Sequence, residues 1–369
     1  MTSNRNSGGS PAQIPLKAAK DEFLREQKGN YSSNLKYNLE KWLDDWIDKR
    51  DEETLADVTP LTMRHYANYL ERRSRGDTGI AESSARTYYN YVSAFLSWAV
   101  KVEKLPENPA EKERAKDPLP TGTTSSSEQQ FWEPEQRRTI TDFVDERARA
   151  AIDKEGTGAF EEVRDRALVY VLAYTGVRGA EVLADRRVDR RNGLRWSDVY
   201  LENGMIEAFG KSQDREEVGL TGQTLEPLRR LRTLVDPPAE SWPVFPSRHP
   251  PSLYKRIADA GHEKPDGDPW EYVLETGIEP PSMSTSGTRT LLKRLSKEAE
   301  VPGLDLEENE YLTLHGARRG VGETLYKEHG AQRAQRTLRH ADPKTTSEMY
   351  SHIEASELGE DNTAVFNDE

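Results

Sequence analysis

The C-terminal half of the chain contains three short segments whose arginine, histidine and tyrosine residues are spaced to act on an anion. The first places Arg178 after Thr-Gly-Val, at the junction of two predicted helices, with Glu181 three residues later. An arginine at a helix start, held by an acid one turn on, can bind an anion. Taken alone, the segment equally fits a helix junction with a surface arginine.

The other two segments add histidines and a tyrosine. His315 and Arg318 lie three residues apart, so one helix face presents both and both could address a single phosphate. His340 begins a stretch with a Pro-containing turn that ends at Tyr350 and predicts a loop leading into a short helix. Tyr350 is one of fifteen tyrosines, so by itself it also fits a packing role.

Together and in this order, the three segments resemble the tyrosine recombinase/integrase family of phage integrases and Xer-type recombinases. The resemblance spans about 20–355 and rests on motifs from 163 onward. It places the family's lysine at Lys211, after Gly210 in a predicted hairpin turn, and makes Glu181 a supporting residue. The catalytic residues it implies are Arg178, Lys211, His315, Arg318, His340 and Tyr350.

The chain also departs from the family pattern. Arg339 stands where the family has glycine before the second histidine, and Tyr350 follows His340 by ten residues instead of the usual nine. Residues 184–193 lengthen the segment after the first arginine, and the text after Lys211 is acidic.

The chemistry implied by the resemblance is transesterification of a phosphodiester. A phenol has a pKa of about 10, so Tyr350 needs help to act as the nucleophile that forms a 3′-phosphotyrosyl bond. Two arginines would hold the non-bridging oxygens, His315 would accept or orient a proton, and His340 would donate to the phosphate. Lys211 would protonate the departing 5′ oxygen. No metal or nucleotide cofactor is expected.

The elements that must position these residues are mainly α-helical. Leu39, Trp42 and Trp46 share one apolar helix face, and Thr59-Pro60 reads as a helix start. After residue 199 the spacing of hydrophobic residues changes from the helical period to short runs in which hydrophobic and polar residues alternate. These runs lie around Asn203-Gly204, a hairpin-turn signal, and predict a small antiparallel sheet of three strands. The resemblance then implies an N-terminal helical core-binding bundle plus a catalytic domain of the DNA breaking-rejoining fold, with DNA clamped between them.

Composition shifts divide the chain into five predicted parts. They are a disordered tail at 1–14, a helical core-binding (SAM-like) DNA-binding domain at 15–112, a linker at 113–132, the catalytic domain at 133–355 and a C-terminal tail at 356–369. Within the catalytic domain, the Pro-, Gly- and Asp-rich stretch at about 236–283 is interpreted as an insertion or long loop.

The overall composition narrows the class of protein. Of 369 residues, 34% are hydrophobic and 32% charged, with no apolar run long enough for a membrane span and no secretory signal, so we expect a cytoplasmic, nucleoid-associated protein. The absence of cysteine excludes disulfides and thiolate nucleophiles. The net charge of −13 suits a salt-rich cytoplasm. Net charge does not determine the local charge of a binding groove, so it does not exclude binding to DNA.

Two basic or polar groups in the N-terminal region are candidate DNA contacts. Each also fits solvent-exposed helix surface. The candidates are Arg72, Arg73, Arg75, Arg86, Thr87 and Asn90.

The resulting hypothesis is a site-specific recombinase that integrates or excises a virus, provirus or other mobile element. The resemblance implies double-stranded DNA with inverted half-sites as partner, a homotetramer in the synapse, and a monomer or weak dimer when free. Alternatives are an Xer-type chromosome or plasmid dimer resolvase, a type IB topoisomerase with the same chemistry, and a catalytically inactive DNA-binding protein.

Overall fold

The computed structural model describes residues 13–27, 30–48, 53–75, 79–121, 129–185, 191–210, 214–340, 342–351 and 353. The chain divides into two compact units, Met1–Ser125 and Ser126–Glu369. The predicted fold class is confirmed: the described residues are mainly helical, and one small antiparallel sheet lies in the second unit.

The first unit is a helical bundle around an aromatic core. Trp42, Tyr66 and Phe95 are buried there, and their rings meet edge-on or tilted. A π-helical turn, Leu43–Ile47, continues the second helix. The helices are α1 Leu16–Glu26, α2 Asn30–Trp42, α3 Pro60–Ser74, α4 Glu82–Lys101 and α5 Glu113–Lys116.

The start of α3 follows the sequence prediction. Thr59 has extended backbone angles, its hydroxyl accepts a hydrogen bond from the Thr62 backbone N–H, and Pro60 occupies the first helical position. The hydroxyl of an N-cap residue satisfies one of the backbone N–H groups in the first turn that have no partner inside the helix. Proline has no backbone N–H, so at the first helical position it leaves no such group unsatisfied.

The second unit has the larger core, to which helices and the small sheet contribute. Leu168, Leu172 and Leu295 are fully buried in this core. The long helix α13, Leu314–Leu338, is interrupted at Gly330, whose backbone angles are not helical. A last helical stretch runs from 343 to 351. The helices are α6 Pro134–Glu155, α7 Phe160–Thr175, α8 Gly179–Val182, α9 Gly222–Val235, α10 Pro250–Asp259, α11 Pro269–Thr276, α12 Thr285–Glu298 and α13 Leu314–Leu338.

The sheet consists of β1 Val199–Tyr200, β2 Met205–Phe209 and β3 Arg215–Gly219, in the order β1-β2-β3. Both pairings are antiparallel, with Val199 opposite Ile206 and Ile206 opposite Val218. These three side chains are buried, so one face of the sheet closes the core, as the alternating pattern predicts.

Two boundaries differ from the sequence interpretation. Residues 236–283 are not a long loop, because α10 and α11 lie within them and bury Leu253 and Trp270 in the main core. Helix α5 falls in the segment interpreted as linker, and Ala115 is buried in the core of the first unit. Pro and Gly residues that read as loop signals here begin and end short helices.

No helix within the described ranges combines the length and apolar character needed to cross a membrane.

Candidate active site

The end of α7 and the start of α8 present the first arginine. Gly176 ends α7 in the left-handed region, with φ 70°, a conformation that glycine adopts without steric cost. Arg178 is the N-cap residue of α8, with about a quarter of its side chain exposed. Its backbone N–H and its Nη1 each donate to Glu181, to Oε2 and Oε1 respectively, both at 2.7 Å.

Glu181 is the buried anchor of this arginine. Its side chain has no exposed area, and besides Arg178 it accepts a hydrogen bond from Arg339. Burial by itself would raise the pKa of Glu181, but the charge of Arg339 and the hydrogen bonds from Arg178 outweigh it, so the pKa lies below its usual value. Glu181 is therefore an anion that two guanidinium groups share.

Helix α13 carries the second arginine and the first histidine. Its N-cap Thr313 accepts from the Gly316 N–H at 3.0 Å, which fixes the first turn. Arg318 is 5% exposed and donates from Nη1 to the carbonyl of Gly176 at 2.6 Å and from Nη2 to the carbonyl of Leu338. This buried side chain ties the end of α7 to the end of α13.

The cations of the site influence one another. Burial and the nearby Arg178 lower the pKa of Arg318 to about 9, so it stays largely protonated at neutral pH. Partial desolvation of its ring and then the charges of Arg319 and Arg318 lower the pKa of His315. An anionic phosphate would relieve this mutual repulsion, which is the electrostatic condition for an anion site.

His340 follows α13 and lies in the same positive field. Burial and the charges of Arg318, Arg178 and Arg339 lower its pKa to about 4, so the imidazole is neutral at pH 7. Its Nδ1 lies 2.8 Å from Oγ1 of the buried residue Thr346, within hydrogen-bond distance. The loop and the 343–351 helix are thereby fastened to each other.

Tyr350 occupies an apolar pocket under α13. The residue has no exposed area, and its ring packs against Tyr326 and Phe131, with centroids 5.4 Å and 6.2 Å away. Its hydroxyl donates to the Arg319 carbonyl at 3.3 Å. Burial raises the pKa of Tyr350, although the charges of Arg318 and Arg319 oppose the increase. A Cβ at Gly322 would overlap the hydroxyl, so glycine there makes the pocket.

The site is thus a cluster of cations next to a buried phenol, a set suited to binding a phosphodiester and attacking it. Within the ranges that the structure describes, no group of three or more acidic or histidine side chains is placed to hold a metal ion.

The phage integrase family model matches residues 135–357, and the phage integrase SAM-like domain model matches residues 17–115. The chain belongs to the phage integrase family. This match covers more than half of the chain and contains every catalytic position that the sequence analysis named.

Curated relatives of this family member include tyrosine recombinase XerC of Xanthomonas axonopodis pv. citri, 23% identical over 54% of this chain and 55% of the relative. XerC of Neisseria meningitidis serogroup C is 28% identical over 28% of this chain and 33% of the relative. The chain therefore spans about half or less of the length of these relatives.

Solved structures of similar fold include the Tn1549 transposon integrase in complex with transposon right end DNA, with a TM-score of 0.58 at 14% identity, covering 95% of this chain and 100% of that one. XerH site-specific recombinase bound to palindromic difH substrate has a TM-score of 0.56 at 16% identity, with 95% and 97% covered. A lambda integrase dimer bound to a COC′ core site has a TM-score of 0.52 at 13% identity, covering 91% and 95%.

Not every predicted position of this integrase-family chain can be placed. Lys211 lies outside the described residues, although the hairpin of β2 and β3 on either side of it is formed as predicted. The five catalytic positions that are described converge through the contacts and charges given above. Of the C-terminal tail predicted at 356–369, no residue is among those described.

The candidate DNA contacts lie at the end of α3 and at the start of α4. The Ile80 N–H donates to the Arg73 carbonyl, so the end of α3 lies close to the start of α4 and the candidates share one end of the first unit. Arg86 donates to the Pro120 carbonyl at 2.8 Å, and Arg73 lies over the Tyr69 ring. Exposed members of the group are Arg72, Arg75, Arg86, Thr87 and Asn90.

Sequence reasoning missed the residues that support the site. Gln130 donates to the Tyr311 carbonyl at 2.7 Å and accepts from the Thr313 N–H at 2.6 Å, and the Trp132 indole donates to the Thr313 carbonyl at 2.9 Å. These residues fix the start of α13 from a segment interpreted as linker. Trp132, a large apolar residue next to a helix start at Glu133-Pro134, was the available signal.

Proposed function

We propose that this chain cleaves and rejoins DNA at specific sites through a 3′-phosphotyrosyl intermediate. The observation that carries the proposal is the convergence of Arg178, Arg318 and His340 on one positive site beside the buried Tyr350. Membership of the phage integrase family supports it, as do XerC relatives that carry the name tyrosine recombinase.

Each residue has a defined part in this reaction. The Tyr350 oxygen attacks phosphorus, the bond from phosphorus to the 5′ oxygen breaks, and the phosphate remains joined to the tyrosine and to the 3′ oxygen. Arg178 and Arg318 neutralise the non-bridging oxygens as charge develops in the transition state. The phenolic proton passes to His315, whose pKa is lowered by burial and by the surrounding cations, so that it serves as a neutral base.

His340 acts as a hydrogen-bond donor in this proposal. We assign the Thr346 hydroxyl, 2.8 Å from Nδ1, as the donor of their hydrogen bond, so the neutral ring carries its proton on Nε2, which can donate to a phosphate oxygen. Lys211 supplies the proton to the departing 5′ oxygen. A sulfur in that bridging position leaves without a proton, so Lys211→Ala should cleave a 5′-bridging sulfur substrate far better than ordinary DNA. Equal defects on both substrates would remove this role from Lys211.

Tyr350 must leave its pocket before it can attack. Its hydroxyl donates a hydrogen bond to the Arg319 carbonyl. Arg178 and Arg318 are hydrogen-bonded to groups of the protein itself, Glu181 and the Gly176 carbonyl, respectively. We therefore interpret this arrangement as the resting state of the site. DNA provides the phosphate that replaces those internal partners and favours the exposed conformation of Tyr350.

We further propose that the substrate consists of inverted half-sites at the ends of a mobile element, with four protomers in the active synapse. Support comes from the palindromic DNA in the XerH complex and from the dimer on a core site in the lambda integrase complex, because symmetric DNA calls for symmetric protein contacts. In the first unit, the exposed residues at the end of α3 and the start of α4 would be the ones that contact the DNA.

One experiment tests the function. The chain is incubated with nicked duplexes from the DNA that flanks its gene, and covalent adducts are mapped to the tyrosine and to the nucleotide. An adduct at Tyr350 with sites at the ends of an element supports integration and excision. An adduct confined to a chromosomal dimer-resolution site would indicate an Xer-type resolvase. Relaxation of plasmid without any target site would indicate a topoisomerase, and failure to form adducts would show a non-catalytic DNA-binding protein.

A further inference from the structure

Arg339 has a backbone conformation that disfavours its side chain. It follows α13 with φ 54° and ψ 48°, the left-handed region, at the position where the resemblance expects glycine. A residue with a Cβ costs roughly 1 kcal/mol more than glycine there. Because the backbone alone would be served better by glycine, the side chain must be what this position supplies.

The side chain of Arg339 links two elements to the active site. Its Nη2 donates to Oε2 of Glu181 on α8, and its Nε donates to Oε2 of Glu216 on β3 at 2.9 Å. The side chain is only 13% exposed. It therefore makes its contacts inside the protein, between α13, α8 and β3.

The two oxygens of Glu181 are divided between two arginines. Oε1 accepts from the Arg178 guanidinium, whereas Oε2 accepts from the Arg178 backbone N–H and from Arg339. Arg178 alone contacts both oxygens, but both of its bonds come from the same short helix start, whereas Arg339 adds the bond that anchors the carboxylate to the end of α13. Removal of Arg339 takes away the side-chain partner of Oε2, and the orientation that Glu181 imposes on the Arg178 guanidinium becomes less defined.

We propose that Arg339 is a positioning residue for DNA cleavage, which acts by holding Glu181 so that Arg178 is fixed for the scissile phosphate. This assignment rests on the proposed function, since Arg178 is taken to bind phosphate. A displacement of about 1 Å in such a group can cost up to ~100-fold in rate. The effect falls on the chemical step, because Arg339 is enclosed and offers little surface to DNA.

The test is Arg339→Gly, in which relief of the left-handed backbone offsets part of the stability lost with the ion pairs, and a thermal melt checks that the variant is folded. We expect single-turnover adduct formation on the nicked duplex to fall ~10–100-fold, with the Kd for DNA changed less than about threefold. Arg339→Lys should recover part of the rate by placing a cation near Glu181. Arg336→Ala, in the exposed last turn of α13, is the matched control and should keep the parental rate.

A double-mutant cycle separates positioning from an independent role. In an Arg178→Lys background, which keeps a cation at this position, Arg339→Gly should cost less than about threefold more, because its effect passes through Arg178. Fully additive losses, or a parental rate for Arg339→Gly alone, would overturn the assignment. Adduct formation by the parent chain in the same reactions reports on the proposed function separately: an inactive parent overturns that function, and an active parent with an unaffected Arg339→Gly overturns only the positioning role.

Discussion

Two regions on either side of the first half of α13 differ sharply in character. On one side Arg178, Arg318 and the histidines form a polar cluster whose orientations are fixed by Glu181, the carbonyl of Gly176 and Thr346. On the other side the Tyr350 pocket is lined by aromatic and aliphatic side chains, with one backbone carbonyl as partner of the phenol.

In the proposed function, this difference separates the groups that bind the phosphate from the group that attacks it. The groups that bind an anion are assembled in advance, which lowers the cost of organising them around the transition state. Tyr350 lies where burial raises its pKa and so favours the protonated phenol. The proposed reaction therefore requires that DNA binding be coupled to the release of Tyr350 from its pocket.

The largest expected effect removes the nucleophile itself. Tyr350→Phe deletes one hydroxyl whose partner is a backbone carbonyl, so packing should survive while covalent adducts and strand exchange are abolished. Denaturing gels of the nicked-duplex reaction measure the adduct, and gel shifts measure retained binding. Tyr326→Phe is the matched control in the same pocket and should still form adducts. Adducts formed by Tyr350→Phe would assign the chemistry to another tyrosine, first Tyr326 or Tyr311.

The two arginines come next, and they should differ from each other. Arg178→Ala and Arg318→Ala should each lose cleavage by ~10²–10³ or more, because each removes a charged donor to the transition state. Arg318 also bonds two buried carbonyls, so only Arg318→Ala should lower the melting temperature markedly. Arg178 is partly exposed, and its side chain hydrogen-bonds to Glu181 in its own helix start.

Rates of cleavage and thermal melts of both variants, measured side by side, check this contrast. Full cleavage by either variant with an unchanged melting temperature would refute the phosphate clamp. Equal destabilisation by both would show that Arg178 is as much a structural residue as Arg318.

The candidate catalytic positions were assigned through the family resemblance, and one part of their arrangement is local, because His315 and Arg318 lie on one turn of α13. The three-stranded sheet was predictable for the same reason, from alternation and one Asn-Gly turn. The helices within 236–283 were not, because their burial depends on a core formed by distant elements. The resting position of Tyr350 was equally hidden, since it depends on Gly322, one turn of helix beyond Arg318 and remote from Tyr350 in sequence.

Gly322→Ala should shift the balance between the two regions by a smaller amount. The added methyl group overlaps the Tyr350 hydroxyl, so the ring must leave its pocket or the helix must move. Overpacking of this kind costs ~1–3 kcal/mol of stability. If release of Tyr350 limits the reaction, adducts should form several-fold faster, because the competent state is more populated. Quenched-flow kinetics measures the rate of adduct formation, and an unchanged or slower rate at full DNA binding would show that release of Tyr350 does not limit the reaction.

The smallest effect tests the positive field of the cluster without DNA. The folded chain lowers the pKa of His340 to about 4, whereas an unfolded histidine titrates near 6.5. Between these values the unfolded chain binds a proton that the folded chain does not, so stability decreases as pH falls from about 6.5 to 4. His340→Gln should flatten that decrease by on the order of 1 kcal/mol, the full shift being reduced by partial exposure of the ring. Urea unfolding of the chain and the variant at pH 7 and pH 5 measures the difference. Because the charges of Arg318, Arg178 and Arg339 add to the effect of burial, Arg339→Gly should slightly weaken the pH dependence in the parent background, and identical pH profiles for all three proteins would place His340 outside the arginine cluster.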